Sequence, residues 1–260
     1  MTIQNEPGYH NFNSLLLDGH QEKEFLKNDL GPELHKNHYT KDKFHVMIYD
    51  YNLPGMKNYV QTVLNDKSAA DLAWGIAFHW YATNEQNRAD LKELHKEFPN
   101  HPLLSTEACV GTGEATFGNW DPFTRYAEDI IKNLNYYSTG WVDWNMALDK
   151  HVGPNWAKGS CDSPIIISDN GHEYYKQPTF YAMGHFSKFL GPNSVRIHHV
   201  SNTKDHANLE VVTFERPDSG TVLTILNKNS HEITMHVHDP QQGYAEVKVK
   251  AHSLKTLIWY

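Results

Sequence analysis

Two glutamates sit where a chain can do chemistry: Glu6, in Thr2-Ile3-Gln4-Asn5-Glu6-Pro7, and Glu107, in Leu103-Leu104-Ser105-Thr106-Glu107-Ala108-Cys109. Each closes a short apolar stretch and is followed by loop-like sequence, which is where a barrel strand delivers a side chain into a site. A glutamate taken alone is ordinarily a solvated surface charge. Two carboxylates on separate strand ends, with aromatics close by, suit acid/base and nucleophilic work on a glycosidic bond. Cys109 lies just beyond Glu107, but no cysteine-and-histidine signature surrounds it, so a cysteine hydrolase is rejected. His10, His35, His38 and His45 lack tight ligand spacing, so neither a metal nor a cofactor is expected.

The elements that must position these carboxylates alternate between strand and helix. Strand-like stretches fall at 1–5, 44–50, 74–81, 103–107 and 140–145. Helical patterns fall between them: 21–36, broken by Gly31-Pro32; a helix opened by Pro54 through Val60, Val63 and Leu64; and 88–98, stopped by Pro99. A further helix has the stripe Phe123, Tyr126, Ala127, Ile130, Ile131 and Leu134, with Asp121-Pro122 read as its N-cap and first-turn proline. Residues 8–13 read as a loop carrying Tyr9, His10 and Phe12. Residues 154–170 read as an irregular β excursion and 178–189 as one more helix. Beyond Gly191-Pro192 the pattern turns to period two, with 209–215 and 221–227 flanking the hairpin turn Pro217-Asp218-Ser219-Gly220. Residues 231–238, 245–250 and 254–259 continue it.

Alternating βα units imply parallel strands, and functional residues at their C-terminal ends imply a (β/α) barrel. The expected fold is therefore α/β plus all-β, with a partial barrel over 1–191 and an antiparallel β-sandwich over 192–260. Five strands precede the sandwich, three fewer than a closed barrel of eight requires. The chain has 260 residues, 39% of them hydrophobic, enough for a sizeable core. A net charge of −8 gives no reason to expect nucleic acid as a partner. No apolar run reaches the ~18 residues of a membrane helix. No secretory signal and no Asn-x-Ser/Thr triplet are apparent; the two cysteines, Cys109 and Cys161, can pair only if the fold brings them together, and isolated thiols are the default expectation.

An ordered series of blocks resembles the glucosylceramidases of glycoside hydrolase family 30. It runs through Gln4-Asn5-Glu6-Pro7, Asn28-Asp29-Leu30-Gly31-Pro32, Gly75-Ile76-Ala77-Phe78-His79-Trp80-Tyr81 and Ser105-Thr106-Glu107-Ala108-Cys109-Val110-Gly111. Gly140-Trp141-Val142-Asp143-Trp144-Asn145, Gly153-Pro154-Asn155-Trp156, Asp162-Ser163-Pro164-Ile165-Ile166 and Tyr174-Tyr175-Lys176-Gln177-Pro178 follow. The resemblance implies strands four to eight of a (β/α)8 TIM barrel plus the sandwich, with strands one to three absent. It implies Glu6 as acid/base at the end of strand four and Glu107 as nucleophile at the end of strand seven. Asn5 would then bond the sugar 2-hydroxyl, Tyr81 would hold the nucleophile, and Trp144 would offer its face to the ring. Tyr9 and Asn155 fall in substrate-contacting loops. His79 either orients the neighbourhood of Glu107 or is a satisfied buried histidine. The substrate so implied is the glycolipid glucosylceramide, with a lysosomal location, a saposin-type activator and an anionic membrane surface as partners. Two other readings stay open: an inactive fragment or binding decoy, and a related enzyme acting on xylan or another β-glucoside.

Overall fold

The structure is a computed structural model and describes residues 1–9, 14–111, 115–155, 161–202 and 207–260. Phe12, His10 and Trp156, named above, lie outside the described residues. The chain divides into two compact units: Met1–Cys109 with Tyr136–Trp144, and Val110–Asn135 with Asn145–Tyr260.

The first unit is an arc of parallel βα repeats. Its helix α1 (Gly19–Phe25) starts on a capping box, in which Asp18 accepts from the Gln21 N–H and Gln21 accepts from the Asp18 N–H. The expected break at Gly31-Pro32 is made without ending the helix. Residues Leu26–Leu30 form one π-helical turn, and α2 (Gly31–Lys36) continues from it. The Gly31 N–H reaches back to the Leu26 carbonyl, which lets the helix absorb a proline that has no N–H of its own.

Strand β1 (Met47–Asn52) is followed by α3 (Met56–Leu64) and by α4 (Lys67–Leu72), a helix the periodicity did not predict, capped by Asp66. Strand β2 (Gly75–His79), α5 (Glu85–Glu97), β3 (Leu103–Glu107) and β4 (Ser138–Trp141) complete the arc. The sheet order is β1-β2-β3-β4, with every pairing parallel. At the N-terminus only Thr2 pairs, in a parallel bridge to Met47, so the expected strand over 1–5 is a single bridge.

One face of the arc carries the core. Ile48, Ile76, Phe78 and Leu103 pack with Val60 and Val63 of α3 and Leu91 and Leu94 of α5, all at most 1% exposed. Burying each such side chain contributes on the order of 1.5–3 kcal/mol. Among the described residues no helix is long and apolar enough to cross a membrane.

The second unit begins with α6 (Trp120–Asn135), whose stripe is buried as expected. Its cap is Asn119, whose side chain accepts from the Asp121 N–H at 3.1 Å. The helix therefore starts ahead of Asp121, and Pro122 still falls among the first-turn donors that have no intrahelical partner. The β excursion is a small three-stranded sheet of β5 (Ala147–Asp149), β6 (Ile165–Ile167) and β7 (Tyr174–Lys176). It is wider than the sequence pattern indicated and is followed by α7 (Pro178–Ser187).

Then come β8 (Val195–Arg196), β9 (Leu209–Glu215), β10 (Thr221–Asn227), β11 (Ile233–Asp239), β12 (Gly243–Val249) and β13 (Ser253–Trp259). One sheet has the order β13-β10-β9-β8, and β11-β12 form a second. Leu223 and Ile225 of the first sheet share a cluster with Val247 and Val249 of the second, which is the expected sandwich core.

The π turn yields a test. A Cβ on Gly31 would lie 2.7 Å from the Leu26 carbonyl oxygen and 2.6 Å from Leu72 Cδ1. Gly31→Ala should destabilise the first unit by about 1–3 kcal/mol, read as a lower urea midpoint. An unchanged midpoint would show that the turn relaxes freely.

Candidate active site

Four ionisable side chains meet at the C-terminal ends of the first unit's strands: Glu6 beyond the Thr2 bridge, Asp50 from β1, His79 from β2 and Glu107 from β3. His79 is at their centre and is fully buried. Its Nδ1 lies 3.2 Å from Glu6 Oε1, and its Nε2 lies 3.2 Å from Asp50 Oδ1 and 3.7 Å from Glu107 Oε2. Donor atoms of Glu6, His79 and Glu107 all fall within 4.8 Å of one another. Tyr81 donates its hydroxyl to Glu107 Oε1 at 2.8 Å.

Strict strand alternation would not bring these groups together. Leu103 faces the helix-side core, so period two would carry Ser105 and Glu107 to that face and Thr106 to the other. A register shift removes the conflict: Phe78 pairs with Ser105, but His79 pairs with Glu107, skipping Thr106. Thr106 then donates to Asp50 Oδ1 at 2.6 Å while Glu107 still reaches the vicinity of His79.

A second shift falls between Tyr49 and Tyr51, which leaves Asp50 unpaired in the ladder. Tyr49 and Asp50 both take left-handed backbone, with φ 78° and 64°. Tyr49 turns to the ring of Tyr59 on α3, and Asp50 turns to His79. Glu6 is left-handed as well, with φ 48°, and its N–H donates to the Asp50 carbonyl at 3.0 Å. Bulges and non-glycine residues in this region concentrate where a site must re-aim side chains.

The electrostatics follow from burial. Desolvation opposes a charge on His79, but bonds to Asp50 and Glu6 and the nearby Glu107 charge outweigh it and raise the imidazole to about 9. Asp50 is likewise desolvated, yet His79 and the Thr106 and Thr2 hydroxyls hold it below the usual carboxylate range. Burial pushes Glu107 up to about 7; His79 and Tyr81 pull the other way, and Glu6 adds to the rise. The same three donor atoms could bracket a cation. Both nitrogens of an imidazolium carry protons, however, so His79 in this state is a counter-ion for three carboxyls and not a ligand.

Of the residues singled out in the sequence, Glu6, Glu107, His79 and Tyr81 are brought together. Asn5 and Tyr9 flank Glu6 on exposed backbone, and the Tyr9 N–H returns to the Glu6 carbonyl at 2.8 Å. Trp144 is 48% exposed, and its N–H bonds the Ala108 carbonyl, just past Glu107. Asn155 is half-buried and belongs to the second unit. The expectation of isolated thiols is corrected: Cys109 and Cys161 are both disulfide-bonded. Only the tertiary fold sets which distant thiols meet, so spacing was silent on this point. Asp50 was missed as well. Its one signal was an acidic residue closing an otherwise apolar strand, the same setting that marked Glu107.

A parallel βα arc with paired carboxyls at its strand ends, together with a β-sandwich, is the architecture of a barrel glycoside hydrolase. Residues 1–190 match the glycosyl hydrolase family 30 TIM-barrel domain, and residues 193–257 match the glycosyl hydrolase family 30 beta sandwich domain. The chain is 37% identical over 270 residues to lysosomal acid glucosylceramidase of Mus musculus, covering 100% of this chain and 51% of that protein. SrfJ from Salmonella typhimurium superposes with a TM-score of 0.91 at 25% identity, over 99% of this chain and 56% of that one. The endo-beta1,6-glucanase BT3312 gives 0.88 at 24% identity, over 99% of this chain and 58% of that one. The chain belongs to glycosyl hydrolase family 30. It spans about half the length of the curated relatives it matches.

The raised Glu107 carboxyl has a consequence for stability. Its folded value near 7 exceeds the ordinary 4.5, so the stability linked to its proton is complete below about 4.5 and lost as pH rises through 7. Glu107→Gln keeps the uncharged form at every pH. Thermal melts should therefore place this variant above the parent at pH 7, with the gap closing towards pH 4.5. A gap that is absent at pH 7, or that widens in acid, would contradict the assigned burial effect.

Proposed function

We propose that this chain carries the paired carboxyls of a retaining β-glucosidase, with Glu107 as nucleophile and Glu6 as acid/base, and glucosylceramide as substrate. The observation that carries the reading is the spacing of the two carboxyls, whose oxygens approach within 4.8 Å. Retaining enzymes hold their carboxyls about 5–5.5 Å apart, whereas inverting enzymes leave about 6.5–9.5 Å for a water molecule.

In this mechanism Glu107 attacks the anomeric carbon while Glu6 protonates the departing oxygen. The glycosyl–enzyme ester is then hydrolysed by a water molecule that Glu6 deprotonates. Two close carboxyls cannot both ionise in acid, so the pair keeps one proton, which is the starting condition for an acid catalyst. The His79 cation and the Tyr81 hydroxyl favour the anionic form of Glu107, and positive charge developing on the sugar favours it further. The mechanism requires the proton on Glu6 and the charge on Glu107 at the moment of attack. Because burial raises Glu107 to about 7, its nucleophilic anion is the minority form below that pH, and kcat/KM should rise by up to about tenfold per pH unit on the acid side. Asn5, Tyr9, Trp144 and Asn155 complete the proposal as sugar contacts.

The glycolipid substrate and lysosomal location are supported by the name of the mouse relative. A saposin-type activator and an anionic membrane surface belong to the same proposal. A second substrate reading has its own support: endo-1,6-beta-D-glucanase BGN16.3 of Trichoderma harzianum is 22% identical over 268 residues, covering 99% of this chain.

Two measurements on the whole protein test these readings. A mechanism-based glucoside inactivator should label the peptide containing Glu107, and Glu107→Gln should abolish both labelling and turnover, with a loss of at least about 10³-fold. Labelling of another residue would overturn the assignment. Hydrolysis of glucosylceramide should exceed that of β-1,6-linked gluco-oligosaccharides; the reverse order would favour the glucanase reading.

A further inference from the structure

Helix α1 buries Gly19, Glu22 and Leu26 on one stripe. That stripe should be apolar, yet Glu22 is 0% exposed. A buried carboxyl is destabilising unless its oxygens find donors. Glu22 Oε2 has one, the Tyr49 backbone N–H at 3.3 Å, while Oε1 is buried without a bond of good geometry. The groups facing Glu22 are Tyr49 and Asp50 from β1 and the Tyr59 hydroxyl from α3, which itself donates to the Leu17 carbonyl. Asp18, the cap of its own helix, acts on the same Tyr59.

The bond to Tyr49 falls where the β1–β2 ladder fails. Tyr49 and Asp50 form the left-handed pair at the register shift, a conformation that costs about 1–3 kcal/mol per residue and persists only when its surroundings enforce it. Three contacts enforce it. Glu22 takes the N–H at one end of the dipeptide, and the Tyr49 hydroxyl folds over to the Asn52 carbonyl at 2.5 Å. The Asp50 carbonyl at the other end takes the Glu6 N–H. The path from Glu22 to Glu6 is thus one side-chain and one backbone hydrogen bond to a single dipeptide, whose Asp50 side chain anchors His79.

We propose that Glu22 is a positioning residue for the site, gripping the Tyr49–Asp50 turn from behind so that Asp50 and Glu6 keep their places around His79. Its contribution is that of a hydrogen-bond acceptor, not of a charge. Burial supports this, since it raises the Glu22 carboxyl to about 7 and keeps it largely neutral in acid. The kinetic consequence rests on the roles proposed above for Glu6 and Glu107; the structural consequence does not.

The test compares Glu22→Gln, which keeps an acceptor and the shape, with Glu22→Leu, which keeps only the bulk. Amide hydrogen exchange is followed at Tyr49 and Glu6, with Ile76, bonded to the Pro102 carbonyl, as internal reference. Glu22→Leu should accelerate exchange at Tyr49 and Glu6 by about tenfold or more and leave Ile76 unchanged, with Glu22→Gln restoring both. On an aryl β-glucoside, Glu22→Leu should lower kcat about tenfold with KM within about twofold, and Glu22→Gln should recover it.

Unchanged exchange and kcat in Glu22→Leu would overturn the proposal, as would a glutamine variant as impaired as the leucine one. If the leucine variant does not fold, the parent decides: rapid exchange of its Tyr49 amide overturns the proposal, and slow exchange preserved in Glu22→Gln supports it. A parent without turnover would sink the glycosidase reading and leave the exchange result standing.

Discussion

One buried imidazolium organises the site. His79 draws Glu6, Asp50 and Glu107 to within 3.7 Å or less of its two nitrogens, closer than three like charges would otherwise settle. Without the cation, mutual repulsion and desolvation would drive protons onto these carboxyls or push their strands apart. With it, Asp50 stays ionised as a fixed partner beside the two glutamates proposed above as acid/base and nucleophile. Hydrogen bonding and burial together set Asp50 apart from Glu107: Asp50 accepts from His79, Thr106 and Thr2, whereas Glu107 accepts from Tyr81 and is raised by burial.

The backbone bends to serve that cation. Three register shifts and three left-handed non-glycine residues fall within a few residues of the four charged groups. A regular parallel arc would send Glu107 into the helix-side core and leave Thr106 in its place. The irregular backbone around the site follows Ile48, Ile76 and Leu103, which pack in the core with residues of α3 and α5. Rigid packing below and irregular backbone above is how a barrel scaffold places chemistry without loosening its core.

Much of this was legible in the sequence, and the gaps have physical causes. The strand 103–107 and the hairpin pair 209–215 and 221–227 agree with the structure because alternation and turn residues are local signals. Glu107 closes a strand whose alternation is a local signal, whereas Glu6 follows a single bridge where a strand was expected. Asp50 could not be assigned, since its side chain is turned by left-handed backbone at a non-glycine residue, which no propensity predicts. The two readings of His79 were not alternatives: it is both buried and oriented towards Glu107. The π turn at Leu26–Leu30 and the disulfide-bonded cysteines depend on contacts distant in sequence, so composition and period could not reveal them.

The charge on His79 sets the electrostatics of the whole site, and 15N NMR of its imidazole reads that charge directly. At pH 7 both ring nitrogens should carry protons, with titration near pH 9 and a downward shift when Asp50 is replaced by asparagine. A neutral ring at pH 7, with one bare nitrogen and a titration at or below about 6.5, would contradict the account.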